Sequence, residues 1–104
     1  MTQGANIIRG EAEISIAGTV YILRPSFENL VAAEDDLGSL FALVERASNG
    51  ALTLAEITAL LWHCLPDSTK TSRESVGQAV LVMGLIEAAK PVRTILAQVL
   101  QGQT

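Results

Sequence analysis

One histidine and one cysteine, His63 and Cys64, stand side by side in a chain of 104 residues, and they are the first place to look for chemistry. A thiol beside an imidazole can be a nucleophile pair, and the same two side chains ligate zinc. A structural zinc site here would have to be completed by carboxylates, an uncommon ligand set. Neighbouring helical positions also point about 100° apart, so the two side chains do not converge on one atom. Cys64 continues the apolar stripe of Ile57, Leu60 and Leu61, where a free cysteine behaves as a small apolar group. His63 could meet a serine and an aspartate in space, yet no serine sits in a Gly-x-Ser-x-Gly elbow. The glycine-rich signatures that cradle phosphates are likewise missing from the sequence. These residues predict no catalytic, cofactor-binding or metal site. The expected activity is binding, not catalysis.

Residues suited to recognising a partner are easier to find. Trp62 is the single tryptophan, and a large aromatic on a helix is either the edge of a core or an interface anchor. Glu34, Asp35 and Asp36 form the longest acidic run, at the C-terminal end of an expected helix, where the helix dipole disfavours negative charge. Solvation or a basic partner would offset that. Glu34, Asp35, Asp36 and Trp62 are therefore the candidate partner-binding residues.

The elements that position them follow from periodicity. Residues 11–24 read as a β-hairpin: Ala12, Ile14 and Ile16 alternate with Glu13 and Ser15, Gly18 turns the chain, and Val20 to Leu23 form a second strand. A tight loop at Ala17-Gly18 or at Gly18-Thr19 places Ile14, Ile16, Tyr21 and Leu23 on one face. Pro25 ends that strand and Ser26 caps a helix carrying Phe27, Leu30, Val31 and Leu37, which Gly38 stops. Leu40, Phe41, Leu43, Val44 and Ala47 mark a second helix, closed by Asn49-Gly50. Thr53 with Glu56 forms a capping box ahead of a third helix that runs to Pro66. Thr71 with Glu74 repeats the pattern before a fourth, which Gly84 ends or bends. Leu85 to Gln101 is helical in pattern, with Pro91 forcing either a kink or a start near Lys90. The expected fold is α+β and mainly helical, an N-terminal hairpin followed by a compact bundle of four or five short helices. One domain spans residues 1–104: residues 1–10 are flexible or a short extra strand, 11–24 the hairpin and 26–101 the bundle. Ile14, Tyr21, Phe27, Leu30, Leu43, Ile57, Leu61 and Val80 are its expected core.

Composition limits what such a domain binds. Apolar residues make up 49% of the chain, enough for a core and a sticky surface as well. A net charge of -4, with Arg9, Arg24, Arg46, Lys70, Arg73, Lys90 and Arg93 forming no run, argues against nucleic acid. A lone cysteine forms no intramolecular disulfide, residues 1–6 lack a secretion signal, and no stretch is apolar for the roughly twenty residues that span a bilayer. A cytoplasmic protein is expected.

Ala5-Asn6, Arg9-Gly10-Glu11, Gly18, Leu23-Arg24-Pro25-Ser26-Phe27, Glu34-Asp35-Asp36-Leu37-Gly38, Leu60-Leu61-Trp62 and Gly84-Leu85 resemble, in that order, the small tail proteins of phages and of gene transfer agents. The sequence departs from the pattern at Ile7-Ile8 and around Pro91. The resemblance implies a role in tail morphogenesis, as a tail assembly chaperone for the tape measure protein or as a tail-tube subunit. Tube subunits build β-rich rings, and a chain offering one hairpin and several helices favours the chaperone. Tail proteins are then the expected partners, chiefly tape measure and secondarily tail tube, with no nucleic acid and no membrane, and homo-oligomerisation open.

Overall fold

The computed structural model describes residues 12–66 and 71–102. The expectations for residues 1–10 and for the loop Asp67 to Lys70 lie outside them. Strands β1 (Ala12–Ile16) and β2 (Thr19–Leu23) are followed by helices α1 (Phe27–Leu37), α2 (Leu40–Ser48), α3 (Leu54–His63), α4 (Arg73–Met83) and α5 (Leu85–Gln101). The two strands are antiparallel, with Ala12 opposite Leu23, Ile14 opposite Tyr21 and Ile16 opposite Thr19. Ile14, Ile16, Tyr21 and Leu23 share one face, as the alternation predicts, and that face lies on α4 and α5. The tight loop is Ala17-Gly18, with φ of 52° and 85°; positive values at both central residues make it a type I′ turn.

Caps set most helix boundaries. Ser26 accepts from the Asn29 N–H, Ser39 from the Ala42 N–H, and Thr53 and Glu56 form the full capping box. Arg46 reaches from α2 to the Glu56 carboxylate at 2.5 Å and fixes α2 against the start of α3. The cap of α4 is not Thr71 but Ser72, whose hydroxyl accepts from the Ser75 N–H. Thr71 instead supplies its carbonyl to the Trp62 indole. Gly84, at φ 89°, ends α4 and starts α5.

α5 runs without interruption through Pro91, so a start near Lys90 is not what forms. Proline removes one backbone donor, but Pro91 is itself buried, and Ala88, Val92, Ile95 and Leu96 bury the rest of that face. All seven elements contribute to one core, in which Leu23, Leu61, Val76, Val80 and Ile95 have no exposed surface. Phe27 is a correction: it is 85% exposed. The buried side of α1 centres on Ala33, and Phe27 lies about 120° around the helix from it. Phe41, expected on the buried face of α2, also points outward. No helix among the described residues is long and apolar enough to cross a membrane.

Candidate functional site

The C-terminal ends of α1 and α3 meet the first turn of α4, and this junction brings an acid, an indole, an imidazole and a guanidinium together. Asp36 comes from α1, Trp62 and His63 from α3, Arg73 from α4. The Asp36 carboxylate oxygen Oδ2 lies 2.5 Å from Arg73 Nη2 and 3.0 Å from His63 Nε2. Those two groups hold the Asp36 carboxyl below its ordinary pKa, the hydrogen bond from His63 first and that from Arg73 second. The Arg73 guanidinium also stacks 4.6 Å from the centre of the Trp62 ring, and the ring edge meets His63 at 5.0 Å. Trp62 Nε1 donates to the Thr71 carbonyl at 2.5 Å.

Chemically this is a clamp. A Ser-His-Asp relay needs the carboxylate on one imidazole nitrogen and a hydroxyl on the other, with the imidazole free to exchange a proton. Here Nε2 faces Asp36 and lies 3.2 Å from Arg73, so a fixed cation competes for the same carboxylate. Cys64 is buried and caps α3; its carbonyl accepts from the Arg24 N–H at 2.7 Å and ties the end of β2 to α3. Among the described residues no cluster of His, Cys, Asp and Glu is suited to hold a metal ion.

The four candidate partner-binding residues are thus distributed unevenly. Asp36, exposed, and Trp62, half-buried, come together through Arg73, and the basic groups that offset Asp36 belong to the chain itself. Glu34 turns back to accept from the Leu40 N–H at 3.0 Å, capping α2. Asp35 stays exposed on the outer side of α1. His63 and Arg73, the charge partners of Asp36, were not legible as such in the sequence, because they lie 27 and 37 positions from it.

Two apolar surfaces also escaped the sequence. A groove of about 280 Å³ between α2 and α5 is lined by Ala47, Leu52, Leu85, Ile86, Ala89 and Arg93, and continues past Leu96 to Leu100. A second, of about 420 Å³, lies between the hairpin tip at Ser15 to Gly18 and α4, with Ala79, Val82 and Met83 on its wall. Val82 and Leu81 beside it are 89% and 60% exposed. Their signal was the apolar run of α4 into α5, too wide for one buried stripe.

A family model described as phage tail tube protein, GTA-gp10, matches residues 9–102. The chain belongs to that family. The match runs through the hairpin and all five helices, so the family assignment covers the clamp and both grooves. No curated protein and no solved structure matches the chain. Membership in the GTA-gp10 family places the protein among phage-type tail proteins and accords with a role in tail morphogenesis.

Proposed function

We propose that this protein acts in tail assembly as a non-catalytic chaperone, holding a helical segment of the tape measure protein against the apolar surface beside α4 until the tube forms around it. The observation that carries the reading is the exposure of Leu81 and Val82 next to the groove between the hairpin tip and α4. Large apolar side chains on a helix that could have turned them inward form a surface that an amphipathic helix would cover. The mainly helical fold supports it too, since a two-stranded sheet is a small contribution to a β-rich ring.

Co-expression with the tape measure protein of the same element tests it. The expected result is a soluble complex that co-purifies, and Val82→Asp should reduce the recovered partner about tenfold or more. Tape measure protein that stays insoluble in the presence of this chain would overturn the reading.

The family description favours a second reading, a tail-tube subunit. The hairpin would then add a strand edge to a neighbour's sheet. High copy number of this chain in purified tails, with no complex in the cell extract, would select the tube subunit.

A further inference from the structure

Two other surfaces of the chain match each other in apolar spacing and charge. Along α5, Leu85, Ile86 and Leu100 are 50%, 79% and 50% exposed at the two ends of the groove against α2, and Arg93 stands between them. Arg93 has no carboxylate partner among the described residues. On the outer side of α1, Phe27, Glu28, Val31 and Asp35 fall on one helical face, every one of them exposed. Glu28 and Asp35 have no cation partner among the described residues. One surface is apolar with a lone positive charge at its middle; the other is apolar with two negative charges.

We propose that α1 of one copy lies in the α2–α5 groove of a second copy, with Phe27 near Ile86 and Asp35 paired to Arg93. The spacing agrees. At 1.5 Å per residue, Phe27 and Asp35 are about 12 Å apart along α1, and Ile86 and Arg93 about 10 Å apart along α5. Val31 then falls over Ala89, where a small side chain leaves room for it. Asp35 is the acidic residue that this alignment brings to the groove's cation; Glu28, seven residues earlier, lies about 10 Å away along α1. The contact is made by two different patches, since α1 packs inward on α3 and α2 while the groove opens between α2 and α5. A head-to-tail contact of that kind leaves one donor face and one acceptor groove free on every dimer, and it builds closed rings or open chains. The α4 and hairpin-tip surface takes no part in it. This inference therefore stands apart from the chaperone reading, and either can fail alone.

The experiment is sedimentation equilibrium of the full chain at low salt over a roughly hundredfold range of concentration, followed by charge reversal. The wild-type chain is expected to associate beyond a dimer as concentration rises. Arg93→Glu and Asp35→Arg should each weaken association by about tenfold or more, and the double variant carrying both changes should regain it, because the pair is restored with its signs exchanged. Both positions are exposed, and circular dichroism should show each variant folded as the wild type is. A chain that remains monomeric throughout overturns the proposal, and so does association that the single reversals leave unchanged or that the double variant fails to regain. A wild-type monomer whose groove is protected only by a different tail protein would also overturn it, and would assign the groove to that partner.

Discussion

Ala17 is the one described residue other than glycine with a positive φ, at 52°. A side chain there brings its Cβ close to the following carbonyl, which costs about 1 kcal/mol, and the type I′ turn imposes it regardless. Asparagine tolerates this conformation, and Asn-Gly is the preferred pair in such loops. Ala17→Asn should therefore raise stability by about 0.5 to 1 kcal/mol in urea unfolding; an unchanged midpoint would mean that the turn differs from the one described. Asp36 tests the clamp in another way. Its pKa is lowered in the folded protein by His63 and Arg73, so the folded state binds that proton more weakly than the unfolded chain does. The stabilisation is complete above the ordinary value of 3.8 and is lost as pH falls through the lower, folded value. Asp36→Asn should be less stable than wild type at neutral pH, and the two unfolding midpoints should converge as the pH is taken below 3.8. A gap that stays constant to the acid limit would remove the clamp as its cause.

Two glycines, one inside α4 and one at its end, show how an element is fixed by backbone in one place and by packing in another. Gly84 joins α4 to α5 at φ 89°, yet a Cβ built there meets nothing within 4 Å, so what it supplies is purely conformational. Gly84→Ala should cost about 1 to 3 kcal/mol from torsional strain alone. Gly77 lies inside α4 with ordinary helical backbone, and its Cβ would rest 3.7 Å from the Thr58 methyl group, a normal contact. Gly77→Ala should therefore stabilise by about 0.5 to 1 kcal/mol, through helix propensity and a restricted unfolded chain. Thermal unfolding of both variants gives the opposite signs that this distinction demands, and equal signs would refute it. Elements of this kind were legible where the signal is local: the Thr53–Glu56 capping box, the hairpin alternation and the stops at Gly38 and Gly84 all lie within a few residues of what they determine. The start of α4 was displaced by one residue because Thr71 and Ser72 are equally good caps in sequence, and only the Trp62 indole, nine positions away, engages the Thr71 carbonyl. The Asp36 clamp and the continuity of α5 through Pro91 were not legible, since tertiary partners decide both. The outward turn of Phe27 has the same origin: helical spacing marks an apolar stripe but not which edge of it the rest of the chain will cover.

At the scale of the whole molecule, the question is whether hairpin and helices form one cooperative unit. Their side chains interlock: Ala12, Ile14, Ile16 and Leu23 of the hairpin share a core with Ala33, Leu43, Leu61, Val80 and Ile95 of the five helices. An isolated two-stranded hairpin is marginal in water, so its order depends on that shared core. Leu61 has no exposed surface, and Leu61→Ala should destabilise by about 2 to 5 kcal/mol, the lost transfer energy plus that of the cavity left behind. The loss should not be confined to α3. For a chain of this size each kcal/mol lowers the melting temperature by roughly 4 to 8 °C, so the variant should melt well below the wild type. Two probes then report on different parts: far-ultraviolet circular dichroism follows the helices, and Trp62 fluorescence follows the junction of α3 with the start of α4. In one cooperative unit both transitions move down together and coincide at every pH and temperature. If Leu61→Ala lowers the fluorescence transition and leaves most helical signal in place, the α3–α4 junction unfolds by itself. The clamp of Asp36, His63 and Arg73 would then be the part of the molecule that opens first.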